Sequence, residues 1–450
     1  MDIAERESRR LRAEALVESL TAAGVAGVIT TFVDNSGILR LKTTPVRQFP
    51  EAAAWGLGFP DVFDRARFDD TIVVSGTGAE PIGDARLMPD VSRVVRLAAQ
   101  QGWAWAPADR YRQDGTAHPQ DSRELQASGR TVKCAFEIEW VLSPIDSAGF
   151  SPAVAGAAYG MSRFAAASDY CRELLEALHA QEVVVEQLHP EYAAGQFEIS
   201  VVAESPVGAA DTGVLVRSTI RAIGVRHGFR TSFSPKVDVG GVGNGGHCHL
   251  SVWRGHTNLM AGGDGAAGMT PDGESFVAGI LAHLDALVAI GCPSVASYLR
   301  LVPSNWSGDY ACWGIENREA AVRLVPGPPE SSAWAANVEV KCFDQFANPY
   351  LLLAGLLAAG RDGLASHARL PAPVGVDPAW LSAEALAAAG VRRLPTSLHD
   401  SNEAFVNDHV LTEAFGPELV ASLAAIHASE LEMFAEAAPE AIAAANLWRY

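Results

Sequence analysis

Phe136-Glu137-Ile138-Glu139-Trp140 is the stretch of sequence that decides the fold. Side chains two residues apart on a β-strand point to the same face, so the two carboxylates share one face and three large apolar groups share the other. Three later segments repeat this alternation: Gln196-Phe197-Glu198-Ile199-Ser200, His247-Cys248-His249-Leu250-Ser251-Val252 and Val338-Glu339-Val340-Lys341-Cys342. The pattern predicts strands whose apolar faces pack under helices and whose polar faces line a common cavity.

The polar faces of these four strands are unusual in composition. Any one of them alone is typical of a half-exposed sheet with a solvated side. Together they concentrate Glu and His, whereas a solvated face usually mixes Lys, Thr, Ser and Arg. Clustered carboxylates repel one another, which raises their pKa values unless cations relieve the repulsion. Carboxylates with one or two imidazoles and no thiolate favour Mg²⁺ or Mn²⁺ over zinc.

The glycine-rich run over residues 240–246 contains a formal GxGxxG at Gly241, Gly243 and Gly246. A dinucleotide fingerprint needs a helix directly after it, to direct N–H groups at a pyrophosphate. A strand pattern follows here instead, and the chain has no GxxxxGK[ST]. The sequence therefore argues against a Rossmann fold and against a P-loop.

Composition restricts the class of protein. The chain has 450 residues, 48% of them hydrophobic, and 34 basic against 53 acidic residues give a net charge of -19. Such a balance argues against a nucleic-acid or anionic-membrane partner. The six cysteines form no CxxC pair and mostly lie in apolar runs, which indicates buried thiols in a reducing cytoplasm. No signal pattern or membrane-spanning run is present, so we expect a cytoplasmic protein.

The order of predicted elements indicates two domains. Residues 5–23 read as an amphipathic helix, and residues 25–31 and 38–42 as strands joined by the turn Asp34-Asn35-Ser36-Gly37. Residues 100–124 read as a connector, so we expect a small domain over residues 1–105 and a large one over residues 106–450. Helices are predicted in the large domain over residues 165–180, 212–227, 273–290 and 349–360, and in the tail 382–445.

A basic set accompanies the acidic strands. It comprises Arg300, Arg318, Arg323, Lys341 and Lys236. Arginine in a cleft can grip a carboxylate or phosphate with two hydrogen bonds. Arg323 lies between two apolar neighbours on a strand pattern and is the stronger candidate, whereas Arg318 has a surface salt bridge as its alternative role.

The chain resembles the glutamine synthetase family over nearly its whole length. The resemblance rests on eight stretches in the family's order and spacing: Asp34-Asn35-Ser36-Gly37, Leu87-Met88-Pro89-Asp90, Phe136-Glu137-Ile138-Glu139, Glu191-Tyr192-Ala193-Ala194-Gly195-Gln196-Phe197-Glu198, Phe233-Ser234-Pro235-Lys236, Asn244-Gly245-Gly246-His247-Cys248-His249-Leu250-Ser251, Arg300-Leu301-Val302-Pro303 and Asn348-Pro349-Tyr350-Leu351. It implies an α+β fold, with a β-grasp-like N-terminal domain and a catalytic domain whose curved antiparallel sheet is flanked by helices.

The resemblance also implies the roles of individual residues. Two metal ions would be bound by two sets of ligands, Glu139, Glu191 and Glu198 for the first and Glu137, His247 and Glu339 for the second. ATP would contact Glu186, His249, Ser251, Arg318 and Arg323, and Arg300 would hold the α-carboxylate of glutamate beside Gly243. Asp34 and Tyr159 match the pocket for the amine, with Asp34 supplied by a neighbouring subunit. A homo-oligomer, expected to be a dodecamer of two stacked hexamers, follows from that last implication.

The implied reaction is an ATP-dependent ligation. ATP would phosphorylate the γ-carboxylate of glutamate, because a free carboxylate would have to expel oxide. An amine would then attack the γ-glutamyl phosphate, with Asp34 accepting a proton or holding the ammonium form. Arg300 and Arg318 would join Asp34 as catalytic groups.

Several positions depart from the family pattern at the amine end. Trp306 stands where glutamine synthetases carry a flap glutamate, Lys341 replaces an arginine beside the substrate, and Val242 replaces an asparagine. Residues 394–400 lack the tyrosine that is adenylylated in regulated members. These departures predict an amine larger than ammonia, a polyamine or ethanolamine, and the loss of the carboxylate at Trp306 favours ethanolamine.

Three alternatives remain open at this stage. The chain could be a glutamine synthetase that uses ammonia, which an amine panel would separate. It could be an inactive paralogue acting as a regulator or scaffold, although all six matched metal ligands are present. A metal-dependent amidohydrolase would need more His ligands and an open zinc position.

Overall fold

Two sheets carry the fold in the computed structural model, which describes residues 1–74, 82–123 and 131–450. The smaller sheet has six strands over these residues, in the order β2-β1-β6-β4-β3 with β5 beside β6. Its strands are β1 (Gly27–Val33), β2 (Leu39–Pro45), β3 (Leu57–Pro60), β4 (Asp84–Pro89), β5 (Val95–Arg96) and β6 (Trp103–Tyr111). The predicted hairpin is confirmed, since β1 and β2 pair antiparallel around the turn that begins at Asp34.

Two helices cover the smaller sheet, α1 (Ile3–Ala22) and α2 (Phe49–Trp55). The side chain of Asp2 caps α1 by accepting the backbone N–H of Glu5 at 2.8 Å. The helix ends where the chain turns at Gly24, whose φ of 77° is costly for other residues. Buried Ala13 and Leu20 pack this helix against the strands, which confirms the predicted amphipathic helix.

The prediction of a connector over residues 100–124 is wrong for its central part. Residues Trp103–Tyr111 form β6, which lies parallel to β1. The alternation of large and small residues in this strand buries Trp105, whose indole N–H donates to the hydroxyl of Thr31 at 2.8 Å. The strand accommodates a proline because Pro107 is the last residue paired with β1. Residue 124 lies outside the described residues.

The domain boundary at residue 105/106 therefore falls inside a strand of the smaller sheet. The division into two domains stays a proposal, and we move the break to a point after Tyr111. The two parts are linked by polar contacts. Arg123, beyond the break, forms a bidentate ion pair with Asp211 of the larger part, through Nε at 3.1 Å and Nη2 at 2.9 Å, and its Nη2 also donates to Asp90 of the smaller part at 3.2 Å.

The larger sheet has ten strands over the described residues and is antiparallel except where β13 and β14 run parallel. Its order is β16-β13-β14-β15-β11-β7-β9-β8, with β10 beside β7 and β12 beside β11. The strands are β7 (Thr131–Pro144), β8 (Val185–Pro190), β9 (Gln196–Val201), β10 (Phe229–Ser232), β11 (Cys248–Arg254), β12 (Thr257–Asn258), β13 (Tyr310–Ile315), β14 (Ala320–Val325), β15 (Asn337–Val340) and β16 (Arg392–Arg393).

Helices flank this sheet, as the sequence predicts. They are α3 (Met161–Ala166), α4 (Ser168–Ala180), α5 (Pro206–Arg226), α6 (Pro271–Ala282), α7 (Leu284–Gly291), α8 (Ser332–Ala335), α9 (Pro349–Ser366), α10 (Ala383–Ala389), α11 (Leu398–Asn407), α12 (His409–Met433) and α13 (Pro439–Asn446). The single helix predicted over residues 273–290 is broken at His283 into α6 and α7. That over residues 165–180 is broken at Ala167 into α3 and α4.

The apolar face of β7 forms the centre of the main core. Phe136, Ile138 and Trp140 are buried, and the ring of Trp140 stacks on Phe197 of β9 at 6.0 Å between centroids. Burying side chains of this size stabilises the fold by roughly 1.5–3 kcal/mol each. The core fixes the register of β7, and thereby the direction in which Glu137 and Glu139 point.

Asn348 links the two sheets. Its side-chain N–H₂ donates to the carbonyls of Val33 at 3.2 Å and Asp34 at 3.1 Å. Its side-chain oxygen accepts the backbone N–H groups of Tyr350 at 3.0 Å and Leu351 at 3.3 Å, which caps α9. One amide thus joins the turn of the smaller sheet to the start of a core helix.

All six cysteines are free and buried, which confirms the prediction of structural thiols. In the described part of the chain no single helix has the length and apolar character needed to cross a membrane. The pair α6 and α7, bent by 69°, passes only when taken together, on length and composition.

A buried glutamate makes the stability of the fold depend on pH. Burial raises the pKa of Glu430 from 4.5 to about 7, although its carboxylate accepts hydrogen bonds from Ser294 Oγ and the N–H of Val295. The protonated form is favoured in the fold, so this contribution is complete below pH 4.5 and is lost as pH rises through about 7. We expect Glu430→Gln to remove up to about 3 kcal/mol of this pH dependence.

The measurement is the unfolding temperature at about pH 5 and about pH 8, where the wild-type protein should lose more stability than Glu430→Gln. Exposed Glu432, on the same helix, supplies the matched control Glu432→Gln. Parallel pH profiles for the wild type and Glu430→Gln would show that Glu430 is ionised in the fold.

Candidate active site

Neighbouring strands of the larger sheet bring the polar faces together. Where β7 pairs with β9, Glu139 lies opposite Glu198. Where β11 pairs with β15, His249 lies opposite Glu339. Since β7 and β11 are themselves paired, all four side chains lie on adjoining strands. The prediction that the alternating segments share one sheet is confirmed.

Glu137 lies at the centre of the acidic cluster. One of its oxygens is 3.1 Å from His247 Nδ1 and the other is 3.1 Å from His249 Nε2. His247 Nδ1 is also 3.2 Å from Glu339 Oε1. Ligand atoms close enough to hold one ion occur in the triads Glu137, His249 and Glu339, and Glu137, Glu198 and His247. Glu137 is shared by both triads.

A third triad contains a residue that sequence reasoning missed. His189, at the end of β8, has Nδ1 3.5 Å from Glu191 and Nε2 3.4 Å from Glu198. The sequence does contain a pattern that indicates this residue, because His189 and Glu191 are two residues apart and share a face. The hydroxyl of Tyr159 donates to the carboxylate of Glu191, with its two oxygens at 2.9 and 2.8 Å.

Most residues of the two implied metal sets lie close to other members of their own set. Glu191 and Glu198 lie together, and so do Glu137, His247 and Glu339. Glu139 approaches His247 at 3.8 Å and accepts the side-chain N–H of Gln196 at 2.9 Å. His249, expected at the nucleotide, forms part of a ligand triad as well.

Burial and mutual repulsion separate the pKa values of the carboxylates. Burial raises the pKa of Glu139 and of Glu198 to about 7. Burial acts in the same direction on Glu137, but hydrogen bonds with His247 and His249 hold its pKa below the usual range. Burial of Glu339 is likewise outweighed, and Lys341 lowers its pKa to about 2. A divalent cation would favour the ionised form of all four, so the donor set fits hard metal ions.

Two cavities meet at Glu137. The first has a volume of about 530 Å³ and contains most of the predicted substrate and metal residues. It is lined by Glu137, Glu139, Tyr159, Glu191, Glu198, Gly243, His247, Arg300, Trp306, Arg318, Arg323 and Lys341. The second, also about 530 Å³, is lined by Glu137 together with Glu186, His249 and Ser251. The predicted ATP residues are thus divided, with Arg318 and Arg323 in the first cavity.

Basic side chains surround the first cavity. Arg323 Nη1 donates to Glu339 at 3.0 Å and Lys341 Nζ donates to its other oxygen at 3.1 Å. Arg300 is buried and donates to the backbone carbonyls of Lys341 and Cys342, each at 3.2 Å. Arg318 is exposed and forms no ion pair with any residue that the structure describes, so the alternative of a surface salt bridge is not supported.

The loop that carries Trp306 brings aromatic rings to the mouth of the cavity. Both Ser304 and Trp306 have φ near +55°, at 55° and 54°, a conformation that costs free energy and often occurs at functional sites. The backbone N–H of Trp306 donates to Glu319 Oε1 at 3.1 Å. Its ring meets Tyr192 edge to face at 5.3 Å, and both rings are about half exposed. Sequence reasoning missed Tyr192, since a single aromatic residue carries no pattern.

Two predicted residues occupy contrasting positions. Gly243 lines the first cavity, where a Cβ atom would lie 2.3 Å from the carbonyl oxygen of Pro235. Asp34 is not among the residues that line this cavity. Its carboxylate is fully buried, receives Arg40 Nε at 2.8 Å, and has its pKa raised by burial to about 6.

The chain is similar to known proteins over nearly its whole length. The family described as glutamine synthetase, catalytic domain, matches residues 119–444. The chain is 51% identical to the gamma-glutamylpolyamine synthetase GlnA3 of Streptomyces coelicolor, over 98% of this chain and 97% of that protein. It is 28% identical to a glutamine synthetase of Methanocaldococcus jannaschii, over 94% and 95% of the two chains.

Solved structures show the same fold. A crystal structure described as a novel glutamine synthase homolog superposes with a TM-score of 0.83 at 29% identity, covering 95% of this chain and 99% of that one. A complex of GmaS with ADP gives a TM-score of 0.82 at 27% identity, over 94% and 97% of the two chains. The α+β architecture expected from the sequence is confirmed.

Proposed function

The chain belongs to the glutamine synthetase family, and from this premise we propose that it is a ligase that uses ATP to join the γ-carboxylate of glutamate to an amine. The observation that carries the proposal is the position of Glu137. It belongs to two ligand triads and lines both large cavities. A phosphoryl group passing from a nucleotide in one cavity to a carboxylate in the other would pass beside it.

The family uses ATP and divalent metal ions, and we propose two Mg²⁺ or Mn²⁺ ions for this site. The ligands are the two sets already described, with His189 and His249 beside them. When bound, the ions supply positive charge that offsets the charge on the transferring phosphoryl group. The carboxylate-rich donor set supports hard cations, and it speaks against the amidohydrolase alternative.

We propose that ATP binds mainly in the second cavity and glutamate in the first, with arginines between them. Glu186, His249 and Ser251 would hold ATP in the second cavity, and Arg318 and Arg323 would reach its terminal phosphate from the first. A glutamate γ-carboxylate oxygen forms a bond to the γ-phosphorus, the bond to ADP breaks, and γ-glutamyl phosphate results.

Arg300 and the substrate groups around it would hold glutamate in the first cavity. Arg300 would take the α-carboxylate, since its guanidinium is fixed by two backbone carbonyls and faces His247 at 3.4 Å. Gly243 lets the backbone approach closely, and Lys341 adds positive charge. The amine nitrogen then attacks the activated carbonyl carbon, phosphate leaves, and a carboxylate accepts the proton.

We propose a polyamine as the nucleophile. The expectation of ethanolamine rested on the loss of a carboxylate at Trp306, but an aromatic face also attracts ammonium groups, by roughly 0.5–2 kcal/mol each. Trp306, Tyr192 and Tyr159 all line the first cavity, and each is about half exposed or more. Support also comes from the name of the relative that is 51% identical.

Asp34 would act on a neighbouring subunit. In its own chain it is buried in the turn that Asn348 holds, away from the residues lining the first cavity. We therefore propose a ring-shaped homo-oligomer, a dodecamer, in which this turn completes the amine pocket of the next copy. A cytoplasmic location is part of the same proposal.

A panel of amines tests the proposed function. With glutamate, ATP and Mg²⁺, we expect ADP and phosphate release to be faster with putrescine or spermidine than with ethanolamine, and slowest with ammonium, because only a long polyamine can place a second ammonium group at the rings while its other nitrogen attacks the activated carbonyl. The γ-glutamyl product is identified by mass spectrometry. Ammonium giving the highest kcat/KM would indicate a glutamine synthetase, and no ADP with any amine would indicate an inactive paralogue.

A further inference from the structure

A further cavity lies between the smaller sheet and α5, apart from both large ones. It has a volume of about 100 Å³ and is bounded on one side by Val33, Ile38 and Leu39 of the smaller sheet. The other side is formed by Arg217 and Arg221 of α5, with Arg449 at the edge of the cavity. Nothing in the proposed ligase reaction uses these three arginines.

Arg217 and Arg221 present their guanidinium groups side by side. They are four residues apart on α5 and so share one face of the helix. Both lie over the ring of Phe233, with centroid distances of 5.0 and 4.8 Å. The Nη2 atom of Arg221 is buried and has no hydrogen-bond partner among the described residues. A buried N–H₂ without an acceptor destabilises the fold, and a bound acceptor would recover that free energy.

Negative charge to balance this pair is missing nearby. Within the described ranges neither arginine forms an ion pair with Asp or Glu, and Asp344 acts on Arg217 only at longer range. Arg449 has its nearest carboxylate at Asp70, 3.8 Å away. Burial lowers the pKa of Arg217 to about 10 and that of Arg221 to about 9. Two half-buried like charges on one helix face are unfavourable unless an anion accompanies them.

We propose that this cavity binds an oxyanion of the size of phosphate, held by the guanidinium groups of Arg217 and Arg221. Planar guanidinium groups bind phosphate-type oxyanions through paired N–H···O bonds, and the free Nη2 of Arg221 supplies one such donor. The cavity is bounded by the smaller sheet on one side and by α5 on the other, so the anion bridges the small and large parts of the chain. It is a stabilising site, independent of the proposed reaction.

The test is thermal unfolding of the full chain in EDTA, with inorganic phosphate or sulfate titrated against sodium chloride of equal ionic strength. Without divalent metal, binding of phosphate in the catalytic cavities is disfavoured. We expect a rise in unfolding temperature of about 2 °C at ten times Kd, which continues with the logarithm of the phosphate concentration. Isothermal titration with phosphate measures the same Kd directly.

Variants locate the site. Arg221→Gln and Arg217→Gln should abolish the phosphate-dependent rise. In anion-free buffer they should unfold at a higher temperature than the wild type, because they remove an unbalanced charge. Arg226→Gln, at the end of the same helix and paired with Glu173 at 2.7 Å, should behave as the wild type. So should Arg323→Gln, which reports on phosphate in the catalytic cavity.

Three outcomes would overturn the proposal. The first is a wild-type protein that phosphate and sulfate do not stabilise. The second is a phosphate effect that survives in Arg221→Gln but not in Arg323→Gln. The third is Arg221→Gln changing the oligomer mass, measured by light scattering, without any phosphate effect, which would assign the arginine pair to a carboxylate of another copy. Ligase activity is assayed separately, so its absence would leave this result unchanged.

Discussion

Glu137→Gln is expected to reduce amide formation by at least about 1,000-fold, equivalent to about 4 kcal/mol of transition-state stabilisation. The substitution keeps the size of the side chain and removes one negative charge from both triads that contain Glu137. It also removes the partner that holds His247 and His249 in place. The position that Glu137 forms with His247 and Glu339 should weaken most, and the triad that it shares with Glu198 should weaken with it.

The measurement combines steady-state ADP release with titration of Mn²⁺ by electron paramagnetic resonance. Glu316→Gln is the matched control, because Glu316 is an exposed carboxylate that pairs with Arg323 outside the ligand triads. We expect the control to retain wild-type Mn²⁺ stoichiometry. If Glu137→Gln bound Mn²⁺ as tightly as the wild type, the proposed ligand set would be wrong.

Trp306→Glu is expected to lower the ratio of kcat/KM for a polyamine over that for ammonium by about 100-fold. The change removes the ring that meets Tyr192, and with it a cation–π contact with the distant ammonium group of the amine. It also introduces a carboxylate at the position where glutamine synthetases have one, which favours ammonium. The two effects act in the same direction on the ratio.

The assay is the amine panel, repeated with the variant at saturating glutamate and ATP. Trp380→Glu is the matched control, since Trp380 is 78% exposed and is not among the residues lining either large cavity. A KM for glutamate that stays constant would localise the effect to the amine. An unchanged ratio of the two specificity constants would remove Trp306 from the amine pocket.

The alternation of side chains along strands was enough to predict the centre of the site. Period-two spacing placed Glu137 and Glu139 on one face, and the pairing of β7 with β9 and β11 then followed from the need to bury Phe136 and Trp140. The helices of the large domain were predicted for the same reason, because their apolar periodicity must face the sheet. The breaks at His283 and Ala167, where two helices are separated by a single residue, were missed, as was the short strand β16 within the helical tail.

Features that depend on contacts distant in sequence could not be predicted. The strand β6 was mistaken for a connector because its partner β1 is distant in sequence. Thr31 of β1 and Trp105 of β6, which form a hydrogen bond, are 74 residues apart. Tyr192 became a candidate only when the fold brought it to Trp306. The arginine pair on α5 carries no sequence pattern of a site, because its enclosure depends on Phe233 and on the smaller sheet.

The amide of Asn348 has a consequence for motion. A hinge opening between the small and large sheets at this junction would have to break the two hydrogen bonds that this amide donates to Val33 and Asp34. Entry and exit of reactants are therefore expected to depend on a local gate. The loop around Trp306 is suited to that role, since its backbone is held to Glu319 by a single hydrogen bond.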